Sequence, residues 1–163
     1  MEQFKGKVWL MGDDIDTDII IPTEYLVFNT IDEMKPYAFS PLREDIAKEI
    51  QPGDIIVAGN NFGCGSSREQ APEVVKALGV KCIIAKSFAR IFFRNAINNG
   101  LLLIENADLA GDVKEGDEIT VSSGQIEYHG KTYKTASLPD NLVEILDAGG
   151  LVKAMRRRNG LED

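Results

Sequence analysis

Four short apolar runs mark the first two thirds of the chain: Lys7–Met11, Asp54–Ala58, Lys81–Ala85 and Leu101–Ile104. Runs of this length bounded by turn residues read as strands, and continuous apolarity suits strands covered on both faces. Between the last three, the spacing becomes helical. Arg68–Leu78 places Val74, Val75 and Leu78 on one face and stops at Gly79. Ser87 is positioned to N-cap a second helix over Phe88–Asn98, which Gly100 ends. Strand, helix, strand, helix, strand predicts right-handed crossovers and a parallel sheet.

The flanks differ. Ile19–Ile21 is apolar and stops at Pro22, Tyr25–Asn29 reads as a loop or short turn, and Pro36–Pro41 reads as irregular. Leu42–Ile50 predicts a short helix closed by the turn Gln51-Pro52-Gly53. Near the end, Glu118–Ser122 and Gln125–Tyr128 flank Ser123-Gly124, a hairpin signal, and His129-Gly130 turns into Lys131–Thr135. Asn141–Leu146 and Leu151–Arg158 read as helices around Gly149-Gly150. The expected fold class is α/β, with parallel βα units joined to an antiparallel β section. Its 163 residues suffice for one core and not for two, so a single domain over 1–163 is expected.

Composition narrows the function. Hydrophobic residues at 44% and charged residues at 27% fit an ordinary globular domain. No stretch is long and apolar enough to span a bilayer, and Met1–Met11 lacks a signal-peptide core, so a cytoplasmic protein without membrane contact is expected. A formal charge of −8 repels phosphate backbones, which excludes nucleic acid as a natural partner. The basic run Arg156-Arg157-Arg158 ends a predicted helix, where cations complement its dipole. The inventory of two cysteines and one histidine excludes an iron–sulfur cluster held by this chain, since a cluster needs three or four thiolates. A structural zinc site is equally poorly served, so no metal site is expected.

The segment Gly59–Glu69, sequence GNNFGCGSSRE, joins a predicted strand to a predicted helix. Backbone amides at such a junction favour anions, and glycines permit close approach of a ligand. No lysine is present for a phosphate-binding P-loop, and Arg68 stands where a dinucleotide fingerprint requires its third glycine. Ser66-Ser67-Arg68-Glu69 also fits a capping box, with Ser66 as cap and Glu69 reaching back. Alternatively, Arg68 holds a carboxylate bidentately while Ser66 and Ser67 donate to it or one serves as a base. A helix N-terminus contributes at most about 2 kcal/mol, between one and two pKa units, too little alone to make a serine basic. Further cations and a closed pocket must come from elsewhere. Cys64 is a competing nucleophile, though no histidine lies near it in sequence, and Cys82 reads as a core residue. In the acidic run Asp13–Asp18, Ile19 and Tyr25 occupy positions where a calcium loop needs glycine and glutamate, so the bland reading of Asp13 and Asp14 is a solvated turn.

Gly63-Cys64-Gly65-Ser66-Ser67-Arg68-Glu69, then Ser87-Phe88-Ala89-Arg90-Ile91 with Asn95, then Gly100-Leu101-Leu102, resemble the swivelling domain of the aconitase superfamily. Asp16-Thr17-Asp18-Ile19-Ile20-Ile21-Pro22 resembles the opening motif of the same domain. The length and the lone domain are similar to the separate small subunits of isopropylmalate dehydratases. This resemblance implies a swivelling β/β/α domain and a hydro-lyase of leucine biosynthesis, active only with a large subunit that carries the [4Fe-4S] cluster. It implies that Ser66 moves the substrate proton, that Ser67 and Arg68 bind a carboxylate of a small dicarboxylate, and that Asp18 belongs to the same substrate-binding set, where it orients a neighbouring charge. The cluster would act as Lewis acid on the leaving hydroxyl. Leu26, Val27 and Phe28 fall in the family's specificity loop. Apolar residues there suit an isopropyl group and would leave an extra carboxylate unpaired, which favours 3-isopropylmalate over homoaconitate. Citramalate or dimethylmalate would fit as well, and Leu26 and Phe28 are equally open to plain core packing. A non-enzymatic carboxylate-binding module is the rival class, and the isolated chain is open to self-association as a homo-oligomer.

Overall fold

The structure is a computed structural model that describes residues 2–160. Its strands are β1 (Phe4–Leu10), β2 (Ile55–Ala58), β3 (Cys82–Ala85), β4 (Leu102–Glu105), β5 (Glu118–Ser122), β6 (Gln125–Tyr128) and β7 (Lys131–Lys134). The α-helices are α1 (Thr17–Ile20), α2 (Ile31–Met34), α3 (Asp45–Glu49), α4 (Gln70–Ala77), α5 (Arg90–Asn98), α6 (Leu109–Asp112), α7 (Asp140–Ala148) and α8 (Leu151–Arg158). Two 3-10 turns, Thr23–Val27 and Lys35–Tyr37, lie among the early helices. One seven-stranded mixed sheet runs in the order β4-β3-β2-β1-β5-β6-β7.

The α/β class with parallel units and an antiparallel section is what forms. β1 to β4 pair in parallel, and β5 to β7 are antiparallel. β1 belongs to both parts: Phe4–Lys7 pair with β5, and Val8–Leu10 pair with β2. The corner falls at Gly6, where a Cβ would sit 2.5 Å from the Gly53 carbonyl oxygen, so only glycine allows the strand to approach this closely.

Every residue of β2 and β3 is buried, because both faces of these strands are covered. On one face Ile56, Ile83 and Leu103 pack with Val74 and Val75 of α4 and Phe92, Ala96 and Ile97 of α5. On the other, Val57, Ile84 and Ile104 pack with Ile119, Val121, Ile126 and Tyr133 of the antiparallel strands. Buried Asp54 accepts hydrogen bonds from Trp9 Nε1 (2.8 Å) and the Gln51 amide (2.8 Å), which satisfies it where β1 and β2 run together.

Several expected elements shift. The predicted helix Leu42–Ile50 is reduced to Asp45–Glu49, and the supposedly irregular Pro36–Pro41 contains a 3-10 turn and the fully buried Phe39. The four-residue helices α2 and α6 were not expected, being too short to show a period. Helix α8 covers the expected range, and its terminal Arg158 grips Glu144 of α7 with two hydrogen bonds (2.9 and 2.8 Å).

Candidate active site

Three loops meet at the C-terminal ends of β1, β2 and β3, the end of a parallel sheet where ligands bind. They are sewn together by their own polar groups. Asp13 Oδ1 accepts from the Asn60 amide (2.7 Å), and Asp14 Oδ1 accepts from Asn61 Nδ2 (3.2 Å). The acidic turn, whose bland reading is a solvated one, therefore latches the glycine loop. The Gly63 amide donates to the Ile15 carbonyl (2.8 Å) and the Thr17 amide to the Cys64 carbonyl (2.9 Å). At Gly63, with φ +84°, a Cβ would lie 2.2 Å from Phe92 Cγ, so the loop rests directly on α5.

Both expected caps are corrected. Helix α4 begins at Gln70, and Glu69 caps it without a side-chain hydrogen bond, so the capping box does not form. Instead the Ser66 carbonyl accepts from Thr17 Oγ1 (2.7 Å), and no side chain caps the helix. Gly65, with φ +90°, lets the chain turn into this contact. Similarly, α5 starts at Arg90, and Ser87 Oγ accepts from the Asn61 amide (2.8 Å). A strand-like bridge between Phe62 and Phe88 extends the chain past the position where Ser87 would cap. Ser66 and Ser67 are exposed, and among the described residues neither hydroxyl is engaged. The amides of Gly65, Ser66, Ser67 and Arg68 also donate to no protein acceptor there, which leaves a run of donors open to an anion.

Arg68 crosses to the opening motif. Its Nη1 donates to the carbonyls of Ile21 (2.8 Å) and Thr17 (3.4 Å) and to Asp18 Oδ1 (3.3 Å), and Nη2 donates to Thr23 Oγ1 (2.7 Å). The outer edge of the guanidinium is thus occupied by protein. The Nε–H and the second Nη2–H share the opposite edge, which is the other fork with which arginine takes a carboxylate. Asp18 also accepts from the Thr23 amide (3.2 Å) and hydroxyl (3.1 Å). These Thr23 bonds, followed by the one from Arg68, hold its carboxyl below the usual carboxylate range.

A cleft of about 460 Å³ opens beside this loop, lined by Gly63, Gly65, Ser67 and Arg68 on one wall. Its other wall is α5, which supplies Arg90, Ile91, Arg94 and Asn95, while Thr17 also lines the cleft. The structure therefore brings Ser67 and Arg68 together with residues that sequence reasoning did not assign. The i, i+4 spacing of Arg90 and Arg94 was the available signal, since it sets two cations on one helix face.

Leu26, Val27 and Phe28 lie outside the lining of this cleft. Leu26 and Phe28 pack against the core, and Phe28 and Tyr25 stack with Tyr37 at ring separations of 5.7 and 4.1 Å. Val27 alone projects, 79% exposed. Arg68 nevertheless links this turn to the glycine loop through Thr23. Cys64 is a poor nucleophile: burial, then the carboxylates of Asp16 and Asp14, push its thiol up. Cys82 is closed within β3. Two separated cysteines do not fit a cluster, and no group of three potential metal ligands occurs among the described residues.

A glycine-serine loop at the open end of a mixed α/β sheet, tied to an acidic opening motif, goes with the aconitase-type class. Residues 29–109 match the family model described as the aconitase C-terminal domain. A 3-isopropylmalate dehydratase small subunit from Lachnospira eligens is 73% identical over 162 residues, covering 99% of each chain. An isopropylmalate/citramalate isomerase small subunit from Methanocaldococcus jannaschii is 47% identical over 158 residues, covering 94% of each. The crystal structure of a 3-isopropylmalate dehydratase from Methanocaldococcus jannaschii superposes with a TM-score of 0.91 at 42% identity, covering 97% of this chain and 96% of that one. The chain belongs to the 3-isopropylmalate dehydratase small-subunit family.

Proposed function

We propose that this chain is the proton-transfer and carboxylate-binding part of a hydro-lyase that interconverts 3-isopropylmalate and 2-isopropylmalate by removing and re-adding water. Membership of the small-subunit family supports the reaction class. The observation that carries the residue assignment is the loop itself: Ser67, with an unengaged hydroxyl, and Arg68, with a free edge, line one cleft, while the open backbone amides and the exposed, unengaged Ser66, which does not itself line the cleft, belong to the same loop.

In this reading the Ser67 hydroxyl and the Nε edge of Arg68 hold one substrate carboxylate, and the open amides complete its hydrogen bonds. Ser66 then takes the proton from the substrate carbon and returns it to the neighbouring carbon when water adds back. Asp18 lies outside the lining of the cleft and acts on the substrate through Arg68. It accepts from the Thr23 amide and hydroxyl, and so orients the Thr23 oxygen that holds Arg68 Nη2 at 2.7 Å and aims the free edge. The two cysteines of this chain do not fit the cluster, so the iron–sulfur group belongs to the partner large subunit. That subunit also closes the site, since Ser66 is exposed in this chain alone. Val27 is the member of the apolar turn free to meet the isopropyl group, with Leu26 and Phe28 shaping the turn from behind. A methyl-bearing malate is a second substrate this arrangement would take, in keeping with the dual name of the Methanocaldococcus relative.

The test is anaerobic reconstitution with a cluster-bearing large subunit. Ser66→Ala should assemble normally and lose isomerisation by at least about 100-fold, the scale of a general base. Near-full activity of the variant removes Ser66 from the proton path.

A further inference from the structure

We infer that Arg90, Ile91 and Arg94 of α5 form the seat on which the large subunit lands when it closes over the cleft, through a patch of that partner that is apolar at its centre and acidic around it. The inference rests on the hydro-lyase reading above, which requires a second chain over Ser66.

Arg90 and Arg94 are exposed, and neither has a hydrogen bond or ion pair among the described residues. This is unlike Arg43, Arg68 and Arg158, each tied to a carboxylate. The chain carries 26 acidic residues against 18 basic ones, so two neighbouring unpaired arginines stand out against the prevailing charge. Between them Ile91 is 57% exposed, one of the few large apolar side chains left open. Exposed cations flanking an exposed aliphatic residue match the rim and core of a protein interface.

The shape favours a protein over a second small ligand. Arg90 and Arg94 line the active-site cleft and also a second cleft of about 420 Å³, and so stand on the ridge between the two. That second cleft is floored by Phe88, Phe93, Leu103 and Leu138, with Glu105 as its one carboxylate. A small dicarboxylate in the active-site cleft leaves the apolar floor of the second cleft open, and one in the second cleft leaves Ile91 open. A surface that reaches from the Ser67 wall across the ridge satisfies both arginines and covers Ile91. The helix is a firm seat, because Phe92, Ala96 and Ile97 anchor its inner face in the core.

The experiment titrates the full chain against the large subunit at saturating substrate and reads the half-saturating concentration, with sedimentation as an independent measure of association. For the double variant R90E/R94E, that concentration should rise at least about tenfold, as expected when two interfacial cations are reversed. Added salt should weaken wild-type association more than that of the double variant. Ile91→Asp should weaken association independently of salt, while Arg156→Glu on α8 serves as a remote charge control and leaves it unchanged. Unaltered thermal unfolding of each variant confirms that the fold is intact. The inference is overturned if R90E/R94E associates like wild type. It is equally overturned if the variant shows a raised KM at saturating partner with unchanged association, which would make these arginines substrate contacts. Wild-type chain that associates but gives no turnover removes the hydro-lyase reading, whereas the association data still decide the seat.

Discussion

Replacing Arg68 by lysine separates a residue that clamps the loop from one that only awaits a ligand. In the free chain the guanidinium makes two short hydrogen bonds, to the Ile21 carbonyl and Thr23 Oγ1, and two long ones of 3.3 and 3.4 Å. An ammonium group is a single point and keeps one of the short pair. A hydrogen bond to a charged group contributes about 1.5–3 kcal/mol, and the long contacts contribute little. The Arg68 side chain is only 15% exposed, but Asp18 is 62% exposed, so their ion pair is largely screened and adds almost nothing. The expected loss is about 2 kcal/mol, which for a chain of this size lowers Tm by about 4–8 °C. The assay is thermal unfolding of the isolated chain, without substrate or partner. Hydrogen exchange should show the amides of residues 17–23 opening first. A lysine variant that melts within about 1 °C of wild type refutes the clamp. In that case Asp18 loses its positioning role too, because its link to the loop runs through this guanidinium.

Three other outcomes follow from the geometry. Gly63→Ala should destabilise the chain by about 2–4 kcal/mol, from overpacking against Phe92 and a left-handed backbone, and should cut reconstituted activity; a wild-type melting curve would contradict the 2.2 Å approach. Val27→Arg should shift the ratio of kcat/KM values away from 3-isopropylmalate toward a substrate with an added carboxylate, and an unchanged ratio in a substrate panel removes the turn from specificity. Tyr133 is raised to about 12 by burial and by its hydrogen bond to Asp112, so its folded pKa lies above the unfolded 10.0. Its contribution is full below pH 10 and fades as pH rises toward 12, because the unfolded tyrosine ionises first. Tyr133→Phe should flatten that part of the stability curve in alkaline denaturation, and an unchanged slope would contradict the assignment.

What could be read along the chain was whatever depends on local pattern. The apolar runs of β2, β3 and β4 identified a buried parallel sheet, because they are short, bounded by turn residues and alternate with segments of helical spacing. The turns at Gly124 and Gly130 announced the antiparallel strands through glycine's tolerance of positive φ. Caps were misjudged because a serine has several amides within reach and sequence shows only its nearest. Ser87 sits where a cap belongs, yet Asn61, 26 residues away, claims its hydroxyl; at Ser66 the main-chain carbonyl is held by Thr17, 49 residues away, and the helix starts later. The fan of acceptors around Arg68 spans 45 to 51 residues of sequence and has no local signature. Arg90 and Arg94 were visible as a spaced pair, but only the packing of Phe92 inward decides that they face the cleft.

The exposure of Ser66 gives the division of labour between subunits a physical basis in this chain. An alcohol ionises far above neutral pH, and α4 begins four residues beyond Ser66 without a side-chain cap, so its dipole lends less than the upper bound of about 2 kcal/mol. In bulk water the open amides of the loop are weak donors, since solvent competes for the same charge. Covering the cleft strengthens every one of these interactions at once, without moving a residue of the loop. On the proposed reading, an isolated chain is therefore inactive for two separable reasons: it lacks the cluster and its base is wet. A large subunit stripped of its cluster but still able to associate would supply the second condition alone. The Ser66 region should then be protected from solvent and bind a dicarboxylate more tightly than either chain does separately, while turnover stays absent. Substrate affinity of the complex equal to that of the free chain would mean that closure contributes nothing to carboxylate recognition.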